Sequence, residues 1–361
     1  MPQDLTVIGI MSGTSLDGLD ICCVQLCHVN NSYTYKVLAT ETFTFPVEWK
    51  KRLEAAYHQD INDLAEIDKD YGKFIGKLVN LFILKNKLKG KVELIGSHGQ
   101  TIFHEPDKGI TVQIGAGPEI AEATGINVIN DFRIRDVELG GQGAPLVPIG
   151  DRLLFGAYAS CLNLGGIANI SYEQGDKRIA FDICPANLPL NKIVKEKFDI
   201  SFDRNGEIAQ SGTVIQDLLN ALNDLSYYSQ DPPKSLGYEW LDREFYPVIK
   251  NFSDKPVANV LRTVIEHEST QISKILNARQ LSNCLVTGGG ALNTFFVEQI
   301  QQKTTTEIII PDLQLIEFKE ALIFAFLAYL HVNQQVNTLA SVTGAKNDSI
   351  GGKLHLAFTD E

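Results

Sequence analysis

Apolar runs of strand length, separated by polar turns, open the chain. They predict three consecutive β-strands at residues 5–11, 19–29 and 33–45. Apolar positions then recur at helical spacing between residues 47 and 84, which predicts a long helical stretch. Short buried strands are predicted after it at residues 92–96, 111–114 and 127–130, with a helix that ends near Thr124 before the last of them. Alternating strands and helices of this kind are typical of an α/β domain.

The opening pattern of strand, glycine turn, strand, turn and strand returns further along the chain, at residues 159–164, 167–172 and 178–183. Residues 131–150, between the two copies, are rich in charge and glycine and contain Pro145 and Pro148, which indicates a connection between domains. Helices and strands alternate afterwards and end with an apolar helix at residues 318–332. We therefore predict a duplicated core, with a first lobe at residues 1–130 and a second at residues 131–361. The closing helix is an alternative member of the first lobe.

Composition and charge argue against two classes of function, the binding of nucleic acid and the binding of anionic membranes. The 361 residues include 32 Lys and Arg against 44 Asp and Glu, a formal charge of −12. An acidic chain without a long basic cluster is a poor candidate for binding nucleic acid or an anionic membrane surface. An anionic substrate would have to be held by local amides and a few cations.

The cysteines and the apolar runs bear on the compartment. The six cysteines form no C-x-x-C pair and lie mostly in apolar runs, as free thiols of a reducing compartment do. Cys23, Cys27 and His28 are an alternative metal-binding set, but no second ligand pair follows them. The sequence shows neither a signal peptide nor an apolar run of about 20 residues, so we expect a cytoplasmic protein. Its oligomeric state is open, with a homodimer as one alternative.

Three glycine turns follow short predicted strands: Gly13-Thr14-Ser15, Gly165-Gly166 and Gly288-Gly289-Gly290. Glycine admits positive φ and close approach of a ligand, and successive amides in such a turn form a nest for an anion. One such turn alone would indicate a hairpin, whereas three, two of them in duplicated units, favour a nucleotide held between two lobes. The chain has neither G-x-x-x-x-G-K-[ST] nor a strand-G-x-G-x-x-G-helix fingerprint, so neither a P-loop kinase nor a Rossmann dehydrogenase is supported.

Several longer strings carry a family resemblance over nearly the whole chain. They are GIMSGTSLDGLD at residues 9–20, SHGQT at 97–101, DFR at 131–133, GGQGAPL at 140–146, LNLGGIANIS at 162–171 and TGGGALN at 287–293. With these strings and its two β-β-β cores, the chain resembles the anhydro-N-acetylmuramic acid kinases of the actin, sugar kinase and Hsp70 ATPase superfamily. The resemblance implies a two-lobed actin-like (ribonuclease H-like) α/β fold with a duplicated β-β-β-α-β-α core.

The resemblance also implies a reaction, the ATP-dependent conversion of 1,6-anhydro-N-acetylmuramic acid, with water, to N-acetylmuramic acid 6-phosphate in peptidoglycan recycling. That chemistry needs a general base for the water, and donors together with Mg²⁺ for the phosphoryl group. The expected nucleotide-binding residues are Gly13, Thr14, Ser15, Leu16, Asp17, Gly18, Leu19, Asp20, Gly165, Gly166, Gly288, Gly289 and Gly290. The residue that anchors Mg²⁺ is left open among Asp17, Asp20, Asp182 and others, and no direct metal ligand is assigned.

Asp182 is the expected general base. It ends the third strand of the second core and matches the Asp of the family's D-T-G-P-[AG]-N motif, here DICPAN at residues 182–187. The alternative is an Asp that only caps a turn or helix. Asn187 in the same motif would either orient the substrate or cap the following helix.

The expected sugar contacts lie in the first half of the chain. His98, Gln100 and Thr101 follow a buried strand, at the carboxyl end where ligands of α/β proteins bind. Gln113 and Arg133 are further candidates. Arg133 suits the lactyl carboxylate of a muramic acid, or alternatively pairs with Asp131 or Asp136.

Four positions depart from the family pattern. Ile183 and Cys184 stand where the motif has Thr and Gly, and Leu236 and Tyr238 replace the Thr and Arg of K-S-T-G-R-E, here KSLGYE. Tyr cannot supply the bidentate charge of Arg. A sister kinase for a different sugar is therefore one alternative function. A non-catalytic or Hsp70-like ATPase switch is another, although an Hsp70-type protein would carry a further peptide-binding domain.

Overall fold

The computed structural model describes residues 4–13, 16–30 and 32–357. The chain divides into unit 1, Met1–Leu154 with Phe318–Glu361, and unit 2, Phe155–Glu317. Unit 1 extends past the predicted lobe end at residue 130 because the segment read as a connection forms two short helices in this unit. Unit 1 also contains most of the apolar closing helix, from Phe318 onward.

Unit 1 is built on a six-stranded sheet with the order β13-β7-β4-β1-β2-β3. Strands β1, β2 and β3 form an antiparallel meander, β4 and β7 continue it in parallel pairing, and β13 pairs antiparallel with β7. A separate hairpin of β5 and β6 follows β4. The bounds are β1 (Leu5–Ser12), β2 (Gly18–Val29), β3 (Ser32–Thr44), β4 (Leu94–Ser97), β5 (Gln100–Glu105), β6 (Ile110–Ile114), β7 (Asn127–Asn130) and β13 (Lys353–His355).

The helices of unit 1 begin with α1 and α2, which pack on one face of this sheet in a core with Ile8, Ile10 and Ile95. Alternate strand residues point to opposite faces, so the residues between them meet a different helix. The helices are α1 (Val47–Ala56), α2 (Ala65–Lys85), α3 (Gly117–Thr124), α4 (Ile134–Glu138), α5 (Pro148–Leu154), α13 (Leu313–Val332, from Phe318 in this unit) and α14 (Ala340–Thr343).

Helix α13 lies directly on the backbone of β1 and β4. Gly9 and Gly96 are register partners on these two strands. A Cβ at Gly9 would come within 1.8 Å of the Ala321 carbonyl oxygen, and one at Gly96 within 2.3 Å of the Phe324 carbonyl oxygen. The two glycines therefore remove the side chains that would hold this helix away from the sheet.

Unit 2 repeats the topology with a five-stranded sheet of order β10-β9-β8-β11-β12. Its strands are β8 (Ser160–Leu164), β9 (Ile167–Gln174), β10 (Lys177–Pro185), β11 (Asn283–Thr287) and β12 (Glu307–Ile309). Its helices are α6 (Asn187–Phe198), α7 (Glu207–Gln210), α8 (Gln216–Asn223), α9 (Tyr238–Trp240), α10 (Tyr246–Lys250), α11 (Val257–Ala278) and α12 (Thr294–Gln301), with a π-helical turn at Leu241–Phe245 between α9 and α10.

The strand orders confirm the duplicated actin-like core. In each unit an antiparallel meander is followed by two strands that add in parallel on the side of its first strand, β4 and β7 in unit 1 and β11 and β12 in unit 2. Within the described ranges, no helix is both long enough and apolar enough to cross a bilayer.

Candidate active site

Two of the predicted glycine turns lie side by side in unit 2. They follow β8 and β11, which pair in parallel and so end at the same edge of the sheet. Gly288 has φ of +82°, and a Cβ there would come within 2.4 Å of Asn163 Oδ1. A Cβ at Gly290 would lie 2.8 Å from the Leu164 Cβ. The backbone of the second turn therefore packs on the first at distances that only glycine allows.

The Asn187 side chain lies between the two turns. The space next to Gly289 is open. The Asn187 amide donates hydrogen bonds to the carbonyl oxygens of Leu164 and Gly165, at 2.9 and 2.8 Å. A Cβ at Gly289 would meet only the Asn187 amide nitrogen, at 3.9 Å. Gly166 has a packing role, since a Cβ there would come within 2.8 Å of Leu188 Cγ. We call the surface formed by Gly165 and Gly288–Gly290 the glycine cradle.

Asp182 lies near the end of β10, where the register with β9 shifts. The Leu236 N–H donates to its Oδ2 at 2.8 Å, while Oδ1 accepts no hydrogen bond from the part of the chain that the structure describes. Burial raises the pKa of this carboxyl to about 6, against the opposing effect of the Leu236 amide. The group is therefore mostly ionised at pH 7 and has one oxygen available to take a proton, as a general base requires.

Of the four residues that depart from the family pattern, three are buried and one is exposed. Ile183, Cys184 and Leu236 are at most 8% exposed and pack into unit 2. Tyr238 is 50% exposed at the start of α9. Only Tyr238 therefore presents a large altered side chain to solvent.

The predicted phosphate turn of unit 1 is described in part. Thr14 and Ser15 lie outside the described residues. Leu16 is buried with φ of +54°, and its N–H donates to the Gly13 carbonyl oxygen at 3.3 Å. Asp17 is exposed next to this turn.

Residues 18–20 begin strand β2. A Cβ at Gly18 would come within 2.7 Å of the Phe43 carbonyl oxygen, so packing against β3 explains this glycine. Leu19 is fully buried. Asp20 accepts a hydrogen bond from the Thr42 hydroxyl at 2.6 Å.

Arg133 and His98 are brought together in unit 1. The Arg133 guanidinium donates to His98 Nε2 at 2.8 Å and to the Gly143 carbonyl oxygen at 2.7 Å. Neither Asp131 nor Asp136 is its hydrogen-bond partner; Asp136 accepts from the Gly143 amide and the Thr343 hydroxyl. The Arg133 Nε is buried and has no acceptor within the described part of the chain. Burial lowers the pKa of Arg133 to about 10, so it stays a cation.

Of the remaining sugar-contact candidates, Gln113 and Thr101 form a pair, whereas Gln100 bonds to other residues. Gln100 bonds the Ser12 hydroxyl and donates to the Tyr57 hydroxyl at 2.8 Å, so its amide is engaged in the interior. Gln113 donates to Thr101 Oγ1 at 3.4 Å, and the Gln113 amide oxygen is buried without a donor in the described residues. Gln113 thus keeps one unused polar atom, whereas Gln100 has a structural role.

Glu320 on α13 is a residue that sequence reasoning missed. Burial raises its pKa, while the charges of Lys319 and Arg133 act in the opposite direction. Lys319 forms a buried ion pair with Asp151 at 2.6 Å. The available signal was a Lys-Glu pair inside an apolar helix, where charged groups are rarely placed without a partner or a purpose.

The comparison with family models identifies one family. A family model described as anhydro-N-acetylmuramic acid kinase matches residues 5–357. Among solved structures, the ROK hexokinase from Thermus thermophilus aligns with a TM-score of 0.44 and 13% identity, covering 91% of this chain and 100% of its own.

Two curated relatives match at greater identity. The anhydro-N-acetylmuramic acid kinase of Sulfurovum sp. (strain NBC37-1) is 35% identical, over 97% of this chain and 98% of its own length. That of Shewanella sediminis (strain HAW-EB3) is also 35% identical, over 96% of this chain and 97% of its own. The sequence similarity is therefore not confined to single motifs.

Proposed function

The chain belongs to the anhydro-N-acetylmuramic acid kinase family, and on this premise we propose that it phosphorylates an anhydro amino sugar with ATP. The substrate is 1,6-anhydro-N-acetylmuramic acid and the product N-acetylmuramic acid 6-phosphate, a step in the recycling of peptidoglycan. The observation that carries the proposal is Asp182, an ionised carboxylate with one oxygen bound to a backbone amide and the other unused.

The proposed chemistry assigns a proton to that unused oxygen. The oxygen of a water molecule bonds to C1 of the sugar while the C1–O6 bond breaks. O6 takes the γ-phosphoryl group of ATP, and ADP leaves. The water proton passes to Asp182 Oδ1. A pKa of about 6 suits this role, because a base near the working pH is ionised yet still basic enough to take the proton.

The glycine cradle is the proposed nucleotide site of unit 2. Open space above Gly289 leaves room for a phosphate near backbone amides, which hold anions in such turns. In unit 1 the turn at residues 13–20 remains the predicted partner. That pairing is a prediction from the sequence.

Mg²⁺ accompanies ATP in phosphoryl transfer and neutralises charge on the phosphates. The ion is usually held by one or two carboxylates, the substrate phosphates and water. No cluster of three or more acidic, His or Cys side chains fit to hold a metal occurs in the described ranges. A site shared between one carboxylate and the phosphates fits this chain, with Asp17 and Asp20 as candidates, because both oxygens of Asp182 already have a role, Oδ2 with the Leu236 amide and Oδ1 with the water.

Arg133 is the proposed binding group for the lactyl carboxylate, with its hydrogen-bond partner His98, and with Gln113, as further polar contacts. A half-buried guanidinium with an unused Nε–H is suited to a carboxylate. Thr101 and Asn187 keep predicted roles in positioning the sugar. A cytoplasmic location and a homodimer also remain predictions.

A coupled ADP-release assay over a panel of sugars tests the proposed function. The panel holds 1,6-anhydro-N-acetylmuramic acid, the anhydro sugar without the lactyl group, N-acetylmuramic acid and N-acetylglucosamine. We expect turnover of the first and a product whose mass shows added water and phosphate. Asp182→Asn should lose about 10²- to 10⁴-fold in kcat while sugar binding survives. Asp217→Asn, an exposed change in the same unit, is the matched control.

The second candidate function is that of a related kinase for a different sugar, and Tyr238 is the residue that supports it. Tyr238 is exposed where the family pattern has a cation, so a sugar that does not need that cation could be preferred. Faster turnover of a non-anhydro hexosamine in the same panel would favour this candidate over the first.

A further inference from the structure

Three of the four polar groups of Asp182, all but Oδ1, are hydrogen-bonded to one segment, residues 227–236. Its N–H donates to the Lys234 carbonyl oxygen at 3.3 Å. Its carbonyl oxygen accepts from the Tyr227 hydroxyl at 2.6 Å. Its carboxylate Oδ2 accepts from the Leu236 N–H at 2.8 Å. The segment between α8 and α9, which includes a 3₁₀ turn at Ser226–Ser229, thus fixes both the backbone and the side chain of this residue.

Tyr227 is itself held firmly. It is 3% exposed, and its ring lies 5.4 Å from the Trp240 ring. The Lys234 ammonium lies 4.5 Å from the centre of the Tyr227 ring and donates to the Tyr227 carbonyl oxygen at 3.2 Å. The Tyr227 hydroxyl is thereby a rigid donor at the strand end that carries Asp182.

We infer that Tyr227 is a positioning residue for Asp182: its hydroxyl locks the strand end to the 227–236 segment, so that the Leu236 amide occupies Oδ2 and leaves Oδ1 to the reaction. The inference deepens the proposed function and rests on Asp182 being the base. Tyr227 touches no reacting atom in this scheme and acts only through Asp182.

None of the titratable groups named below takes over the role of the Leu236 N–H, which stabilises the charged Asp182 carboxylate. Burial raises the pKa of Tyr227, and it raises that of Cys184, so both are neutral at pH 7. Glu268, beyond Cys184, also has a raised pKa. Lys234 is the cation in this group, and its ammonium donates to the Tyr227 carbonyl oxygen. The Leu236 amide is therefore the group that directly stabilises the carboxylate.

Tyr227→Phe tests the inference because it removes one hydroxyl and little else. A looser segment weakens the Leu236 bond to Oδ2, so protonation of Asp182 becomes easier. We expect the acid limb of the pH profile of kcat to move up by about half a unit to one unit, the size of one lost hydrogen bond. At pH 6 kcat should fall about 2- to 5-fold and recover by pH 8, with KM for the sugar almost unchanged.

Tyr228→Phe is the matched control. Its hydroxyl hydrogen-bonds to His267 at 2.9 Å and not to Asp182, so the profile should stay in place. A kcat loss without a shift in Tyr227→Phe, or equal shifts in both variants, would overturn the inference. If Tyr227→Phe does not fold, Trp240→Phe loosens the same ring without changing charge and should give a smaller shift in the same direction.

A carboxyl ¹³C titration separates this inference from the proposed function. The Asp182 resonance is identified by its loss in Asp182→Asn and followed with pH in wild type and Tyr227→Phe. Absence of kinase activity in the wild type would overturn the proposed function alone. An unchanged titration of Asp182 in Tyr227→Phe would overturn the positioning role alone.

Discussion

Arg133 donates a hydrogen bond from Nη2 to Nε2 of His98, across 2.8 Å. A guanidinium only donates, so Nε2 must accept and the neutral ring carries its proton on Nδ1. Burial, together with the positive charge of Arg133, lowers the pKa of His98 to about 3. The His98 ring therefore stays neutral near pH 7. It accepts the hydrogen bond of the Arg133 guanidinium without adding a second positive charge beside it.

Arg133→Lys should weaken sugar binding. The planar guanidinium of Arg can donate to His98, to Gly143 and to both oxygens of a carboxylate at the same time. The compact ammonium of Lys cannot make all these hydrogen bonds together. We expect KM for the anhydro sugar to rise about 10-fold, with a smaller change in kcat. Arg135→Lys, an exposed change two residues away, is the control. A wild-type KM in Arg133→Lys would remove Arg133 from the sugar site.

Gly289→Ala should weaken ATP binding without unfolding unit 2. The added methyl finds only one atom within 4 Å, at 3.9 Å, so it fits the fold but occupies the proposed phosphate space. We expect about a 10-fold weaker affinity for ATP by calorimetry and an unchanged melting temperature. Gly290→Ala is the contrasting variant, because its methyl would meet Leu164 at 2.8 Å and lower the melting temperature. Unaltered ATP affinity in Gly289→Ala would place the phosphates elsewhere.

The rate should depend on pH through Asp182. In the proposed function the ionised carboxylate is the active form, and burial raises its pKa to about 6. We therefore expect kcat to be constant above about pH 7 and to fall about tenfold per unit well below pH 6. A pH–rate profile with saturating ATP and sugar measures this. An acid limb near the ordinary value of 3.8 would show that another group limits the rate.

Glu268→Gln should change how stability depends on pH. Glu268 is fully buried on α11, both carboxyl oxygens lack a partner in the described chain, and burial raises its pKa well above 4.5. The folded state keeps the proton that the unfolded state releases above about pH 4.5, so stability falls as pH rises. Unfolding by urea at pH 4, 6 and 8 should show this fall in wild type, and a smaller one in Glu268→Gln. Glu298→Gln, an exposed change, should keep the wild-type slope.

Much of the fold could be predicted because periodicity reports burial directly. The predicted strand at residues 127–130 coincides with β7, and the three opening strands agree within two residues at each end. Other elements carried no such signal. Strand β13 has three residues, two of them exposed, and it forms only because β7 offers an unpaired edge. Hairpin strand β5 was not predicted, because it begins with a polar residue, Gln100, which is buried through its hydrogen bonds to Ser12 and Tyr57.

Motif strings in the sequence point to Asp182 and the glycine turns as site residues, and these roles stay predictions. The site was not predictable where distant segments supply the partner. Nothing in the sequence relates Tyr227 or Leu236 to Asp182, because their hydrogen bonds span 45 and 54 residues. The same holds for Arg133 and His98, 35 residues apart, for which the sequence offered Asp131 or Asp136 as nearer partners.

The sequence by itself determined the duplicated α/β core, the family and the residue types available for catalysis, since hydrophobic period and motif strings are properties of the chain. Tertiary structure decided which polar atoms are used. It engaged the amides of Gln100 and Asn187 in holding the protein together, and left Arg133 Nε and Asp182 Oδ1 without protein partners in the described residues. The physical reason is that a hydrogen bond depends on the approach of two atoms within about 3 Å, and packing between segments remote in sequence sets that distance.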